Sequence, residues 1–438
     1  MSKCNRRPWP PRALAAALLT AFALATPAPR ALTHAGGGRA VPEGGEAKSA
    51  AVRAATEEVL RETSEVRQLA VLRGVRSGAQ SRAEIERMLV RNLDRGSKPD
   101  EARADELTLK RLGMLPPDFR LRPFLVRLLA EQVAGYYDPR TREFYLADWL
   151  DLDAQRPVIA HELTHALQDQ HFGLRRFERW PKHDSDAELA AHALVEGDAT
   201  LAMLQYVARD FGRRLAMFRS LAGRGGGSTE VYDSAPRVIR ESLIFPYSQG
   251  ATWAGAVHRR GGWALVSGAY RRLPASTEQV LHPEKYFAGE APLRVELRDI
   301  SSRLGRGWRM ADHDVNGEWG CYLLLDEFLK SDDVSRRAAE GWGGDRYALF
   351  TGPREGDALV ALKTVWDTER DAEEFFAAYA RRTVLRHGAA AAVVDAGGME
   401  RLWETAGGRV FVRRAGAAVF VLEGLPAGAD ARLLAGSL

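Results

Sequence analysis

The chain has 438 residues, 45% of them hydrophobic, so it can bury a sizeable core and is long enough for two or three domains. Its formal net charge is +4, and Lys3, Arg6, Arg7 and Arg12 account for all of it, with no acidic residue before Ala25. The remainder is neutral and lacks the concentrated basic face that nucleic-acid binding needs, so no nucleic-acid partner is expected.

In chain order, those four cations precede "ALAAALLTAFALA", an apolar run too short for a stable membrane span and ending in Ala23-Leu24-Ala25. Residues 1–25 therefore read as a signal peptide cleaved shortly after Ala25, and the protein as exported, periplasmic or extracellular. Membrane contact would arise only from an uncleaved signal. Cys4 leaves with that segment, which rules out an intrachain disulfide in the mature chain, and Cys321 in "GCYLLLDEF" reads as a buried small apolar residue. Residues 26–48, with "ALTHAGGGRAVPEGGE", are Gly-rich and aperiodic, a flexible linker.

Residues 49–120 carry three helical patterns. These are "AAVRAATEEVLRETSEVRQLAVL", "SRAEIERMLVRNL" with Ser81 and Glu84 spaced as a capping box, and "PDEARADELTLKRL" closed by Gly113. The pattern suits a pro-segment and a helical subdomain equally. A further helix is expected over Pro123 to Val133, then a β-hairpin in "AGYYDPRTREFYLAD", where aromatic-rich runs flank the turn at Asp138-Pro139-Arg140-Thr141. Helical patterns follow at about Asp186 to Arg209 and Ser248 to Arg259. From Asp345 onward the order is strand, strand, a helix over "ERDAEEFFAAYARR", then the hairpin "GRVFVRRAGAAVFVLEG". That ββαββ order predicts an α+β domain over 341–438, with its boundary near "EGWGGD".

The chemistry lies in residues 158–167, "VIAHELTHAL". On a helix, residues four apart are rotated by only about 40°, so His161 and His165 present both imidazoles on one face and can grip one Zn²⁺. Glu162, beside the first ligand, can reach an activated water without ligating, as the glutamate base of a zinc hydrolase does. The flanking Val158, Ile159, Leu163, Thr164, Ala166 and Leu167 are uncharged, so the helix can be buried around a polar face. A structural zinc site would close with four ligands and lean on cysteine, of which the mature chain has one.

Two residues compete as third ligand. His171 has the spacing of a metzincin, but Gln168 stands where that family turns the chain with glycine. A continuing helix puts His171 about 15 Å along the axis from His161. The other candidate is Glu196, in "AHALVEGDATL" on the next strong helical pattern. "VIAHELTHAL" followed by "VEGDA" resembles the gluzincin metallopeptidases, and most of all their peptidase-MA-like group, over roughly residues 135 to 260. In that family a glutamate on a downstream helix completes the zinc site, which implies His161, His165 and Glu196 as ligands and Glu162 as base. Thr200 stands where the thermolysin-like branch carries an aspartate behind the ligand glutamate. "FPYSQGATWAGAVHRRGGW" resembles the tyrosine-bearing segment of several gluzincins, which would make Tyr247 a donor to the oxyanion. His192, one turn before Glu196, is a further candidate beside the metal or the transition state. Asp169 is placed to orient a ligand imidazole, and "LHPEKYF" offers His282 and Tyr286 in the oxyanion role.

The expectation is thus an α+β chain whose residues 121–340 form a zincin-like catalytic domain, with hairpin, motif helix and glutamate helix, followed by the domain over 341–438. Its activity would be zinc-dependent hydrolysis of peptide bonds in a peptide or protein substrate, which could lie along the hairpin at 135–147 by strand addition. The amide specificity comes from the resemblance. The rival expectation is an envelope binding or scaffold protein on a zincin fold with a vestigial metal centre. Oligomeric state has no signature in the sequence.

Overall fold

The computed structural model describes residues 44–96, 98–179, 183–215, 230–388, 392–395 and 398–438. The expected signal peptide and most of the linker lie outside these residues. Among the described residues no helix is long and apolar enough to cross a membrane.

The chain is mixed α+β, with a helical body and two sheets. The first helix, Gly44–Arg67, starts inside the segment expected to be linker, and it buries Val52, Val59, Leu60 and Val66. Helices Arg82–Gly96 and Pro99–Arg111 follow. The capping box holds, since the Ser81 N–H donates to Glu84 Oε2 at 2.8 Å and the Glu84 N–H to Ser81 Oγ at 3.4 Å. Gly113 sits at φ 77, a left-handed conformation that ends the third helix cheaply only for glycine.

The expected hairpin forms from β2 (Gly135–Asp138) and β3 (Glu143–Ala147), antiparallel, after helix Leu121–Gln132. A strand absent from the sequence reading, β1 (Arg76–Gln80, "RSGAQ"), pairs parallel with β3, so β3 is central and β2 is an edge. β1 has no β-branched or aromatic residue to announce it, and the free side of β3 recruits it.

The motif helix spans Arg156–Phe172, the glutamate helix Ser185–Ala208, and a third, the tyrosine helix, Arg237–Ala269. The last is longer than its pattern suggested and breaks at Gly261 and Gly262, whose φ/ψ are non-helical. Glutamate and tyrosine helices cross backbone against backbone. A Cβ on Gly197 would fall 2.2 Å from the Gly250 carbonyl, and one on Gly250 would fall 2.3 Å from the Ala193 oxygen. These glycines are required by close approach.

The C-terminal sheet is larger than the expected ββαββ unit. It runs β4 (Arg309–Asp314), β5 (Trp342–Thr351), β6 (Ala358–Trp366), β10 (Ala418–Leu425), β9 (Arg409–Ala415), β8 (Glu400–Glu404), β7 (Ala392–Asp395), all antiparallel. Helix Glu369–His387 packs on it, with Phe375 and Tyr379 fully buried. β4 enters from before residue 341, so the sheet straddles the expected boundary. β4 and β8 escaped notice because "RMADHD" and "ERLWE" are short and charged, too brief for alternation to register.

One apolar core runs without a break from Ile85 and Leu128 through Leu194 and Trp253 to Phe375 and Val421. Arg382, fully buried, donates to Glu423 Oε1 at 2.8 Å, to the Leu324 carbonyl at 2.9 Å and to the Leu112 carbonyl. Arg386 reaches the Arg111 carbonyl at 2.7 Å. The last third is thereby stitched to the N-terminal helices. Cys321 is fully buried in this core.

Candidate metal centre

The motif helix has Pro157 in its first turn and ends at Gly173, φ 70, whose N–H bonds the Asp169 carbonyl at 3.1 Å. Every residue from Val158 to Asp169 is buried. Ile159, Leu163, Ala166 and Leu167 pack against Val52, Val59 and Val66 of the first helix. The opposite face carries His161, His165 and Gln168.

The glutamate helix starts with Asp184 as cap, its carboxylate accepting the Ala187 N–H at 3.2 Å. It brings Glu196 onto the two histidines. His161 Nε2 lies 3.1 Å from Glu196 Oε2 and 3.1 Å from His165 Nε2, and His165 Nε2 lies 3.3 Å from Glu196 Oε2. A tetrahedral ion with bonds of about 2.0–2.1 Å separates its ligand atoms by about 3.3–3.4 Å. The three donors therefore sit almost at zinc-ligand spacing. His165 has the most exposed side chain of the trio, at 11%.

Gln168 determines the orientation of His165. Its Nε2 donates to the Val195 carbonyl and to Asp198 Oδ2, each at 3.0 Å, which occupies both amide hydrogens. Oε1 must then be the atom 2.9 Å from His165 Nδ1, so Nδ1 carries a proton and Nε2 faces Glu196. Burial opposes a charged His165, but Glu196 and Glu162 outweigh it and hold its pKa up at about 9. Burial likewise opposes the Glu196 carboxylate, yet His165 and His161 hold its pKa down at about 2.

Glu162 stands outside the trio. Its Oε2 accepts the Tyr137 N–H of β2 at 2.9 Å. Burial pushes its carboxyl upward, against the pull of His165 and His161. The Tyr137 hydroxyl also donates to Asp169 Oδ2 at 3.0 Å, so one strand residue grips the motif helix at two points. Asp169 accepts the Leu174 N–H as well, at 3.0 Å. It secures the end of the helix and does not orient an imidazole; Gln168 has that role because it shares the face of His165. One N–H of the edge strand is engaged by Glu162 and is closed to an incoming peptide.

The other expected residues divide. The Tyr247 ring stacks against His161, centroids 5.9 Å apart and planes at 28°, carried there by the Gly197–Gly250 crossing. His192 is buried with neither ring nitrogen hydrogen-bonded among the described residues, and burial lowers its pKa to about 4. His171 bonds the Ala70 carbonyl at 2.8 Å on the exposed end of the helix, away from the trio. His282 pairs with Glu318 at 2.9 Å, and the Tyr286 hydroxyl bonds the Arg272 carbonyl at 2.8 Å, so that segment is held by its own partners. The Thr200 hydroxyl is buried and makes no hydrogen bond among the described residues.

Two other groups of His, Asp and Glu converge among the described residues. Glu278 and Asp367 surround the Lys285 ammonium at 2.7 and 2.8 Å, which already supplies their cation. His183 already commits Nδ1 to the His313 carbonyl at 2.9 Å, and its ring lies 4.0 Å from that of His313 with the planes tilted by 52°.

Residues 303–434 match the model of a family described as "Domain of unknown function (DUF8575)". That stretch holds all seven strands of the C-terminal sheet and begins well after residues 161–196. No curated protein matches the chain, and no solved structure does.

Proposed function

We propose that the protein is an exported zinc-dependent hydrolase of the gluzincin type, cleaving peptide bonds on a zincin-like fold. One observation carries this reading: three donors from two helices converge at 3.1–3.3 Å, with the nitrogen of His165 turned toward them by Gln168. His161, His165 and Glu196 would hold the zinc. Bound there, it would supply Lewis-acid polarisation of the scissile carbonyl and of the attacking water.

The remaining work falls to this chain's own side chains. Glu162 takes the proton of the attacking water and passes it to the leaving amine. The Tyr137 N–H anchors Oε2, which leaves Oε1 as the basic oxygen. Burial supports this role, since a carboxyl raised from its ordinary range is a stronger base. Tyr247, whose ring stacks against His161, is the candidate hydroxyl for donation to a developing oxyanion. A buried scaffold with a vestigial centre is the second reading, and it draws on the burial of His161, Glu162, His165 and Glu196, all at 8% exposure or below.

Metal analysis of the purified protein, with cleavage of an unfolded protein substrate before and after chelation, separates the readings. One zinc per chain and chelator-sensitive cleavage that zinc restores support the hydrolase. Bound zinc without cleavage favours the scaffold, and a folded chain that takes up no zinc refutes the metal centre.

A further inference from the structure

Behind the trio lies a second layer of polar groups, fully buried. Arg67, the last residue of the first helix, and Asp198, two residues past Glu196, are both 0% exposed. Arg67 grips the carboxylate with two bonds, Nε to Oδ1 at 2.5 Å and Nη2 to Oδ2 at 3.0 Å. Asp198 Oδ2 also accepts the Tyr270 hydroxyl at 2.8 Å and Gln168 Nε2 at 3.0 Å. The guanidinium is enclosed in turn by Ser267 Oγ at 3.1 Å and by the Trp263 ring, 4.5 Å to its centroid.

Burying an ion pair this deeply seldom stabilises a fold beyond what apolar residues of the same volume achieve. What the pair does accomplish is orientation. The two ends of the Gln168 amide have nearly the same shape, and only their partners distinguish them. An ionised Asp198 accepts and cannot donate, and the Val195 carbonyl is the same. Both amide hydrogens are therefore drawn away from His165, and Oε1 is presented to Nδ1. If residue 198 could donate, only the Val195 carbonyl would hold the amide in this orientation, and the amide could turn over. Its N–H would then face Nδ1, and the imidazole proton would move to Nε2, the atom that faces Glu196.

We propose that Arg67 is a positioning residue of the metal centre, acting through Asp198 and Gln168 on His165, and that helix Gly44–Arg67 is a permanent part of that centre and not a removable pro-segment. The proposal rests on the metal-centre reading above. It assigns a role to a residue 131 positions before its partner, on a helix that carries no ligand of its own.

The test is zinc affinity, measured by competition with a chelator on the full mature chain. Gln168→Met should weaken binding by about 10–100-fold, the usual effect of removing the partner of a ligand imidazole. Arg67→Met should weaken it by a similar factor, and Gln168→Met with Arg67→Met by no more than the larger single effect, because both interrupt one chain of contacts. Arg67→Met leaves Asp198 buried without its cation and can fail to fold. Arg67→Met with Asp198→Asn removes both charges, gives residue 198 a donor it lacks in the native chain, and should show the same loss in a chain of native circular dichroism.

Folded variants with wild-type zinc affinity, or losses that multiply in the Gln168–Arg67 double variant, overturn the relay while leaving the metal centre intact. A wild-type chain that takes up no zinc overturns the centre, and the relay with it. Sequencing the N-terminus of the zinc-loaded exported protein adds a second check. A start before Arg67 is expected, and a zinc-loaded chain beginning beyond Arg67 overturns the proposal.

Discussion

Gly197→Ala probes the crossing on which the whole site depends. The added Cβ would lie 2.2 Å from both the carbonyl carbon and oxygen of Gly250 and 2.7 Å from its Cα. Carbon atoms settle at about 3.5–4.0 Å and tolerate little below about 3.2 Å, so the glutamate and tyrosine helices must part by at least about 1 Å. The obstacle is backbone, which cannot rotate aside. In its favour the substitution removes the helix penalty of glycine, about 1 kcal/mol. Against it stands overpacking, about 1–3 kcal/mol and more where the backbone must move, so the net effect is destabilising. Glu196 is the neighbouring residue, and a shift of about 1 Å is half a zinc–ligand bond of about 2 Å, so zinc affinity should fall together with stability. Gly268→Ala is the control: it lies in the tyrosine helix beyond the break at Gly261 and Gly262, nothing is within 4 Å of its Cβ position, and it should be neutral or slightly stabilising. Denaturant unfolding gives the stability change and chelator competition the affinity. A Gly197→Ala protein as stable as the parent, with unchanged zinc affinity, would refute the close crossing as the device that positions Glu196.

Three further outcomes are expected. Glu162→Gln should keep stoichiometric zinc while lowering the hydrolytic rate by about 10²–10⁴-fold; loss of zinc in this variant, by metal analysis, would make Glu162 a ligand or a structural group. Glu196→Ala should weaken zinc binding by more than the roughly 10–100-fold of an outer contact, whereas His171→Ala, whose ring bonds the Ala70 carbonyl, should leave it unchanged, and the reverse result in the same chelator titration would sink the gluzincin assignment. Burial works against the charge on Glu423, but Arg382 and Arg386 outweigh it and hold its carboxyl below 4.5. A depressed folded-state pKa means stability that is full above the ordinary glutamate value and lost as pH falls through the folded one. Glu423→Gln should cost about 3–5 kcal/mol at neutral pH and flatten the acid limb of a stability–pH curve, and an unchanged acid limb would contradict the role given to this carboxylate.

Much of this protein is local and was readable without coordinates. The Ser81–Glu84 box, the Gly113 stop, the hairpin around Asp138-Pro139 and the three long helices all follow from short-range spacing, which needs no partner elsewhere in the chain. The pairing of His161 with His165 is equally local, because helix geometry alone puts them on one face. The pairing of Glu196 with them is not. It depends on a helix crossing that a glycine in "VEGDA" permits and a glycine in "SQGAT" receives, and neither glycine reveals its counterpart.

The same limit explains the misplaced supporting residues. Asp169 and His282 have suitable chemistry at plausible spacing, yet tertiary packing gives Asp169 to Tyr137 and His282 to Glu318. Gln168 looked like a missing glycine, and the fold makes it the group that orients His165. Arg67 had no distinguishing mark among the many arginines of the chain. The sequence by itself determined the donor types, the helices that carry them and the turn that precedes them, since these depend on residues a few positions apart. Only the tertiary structure decided which carboxylate meets the imidazoles and which proton stays on His165, because hydrogen bonds from Arg67 to Asp198 and from Gln168 to Val195 join positions whose separation carries no periodic signal.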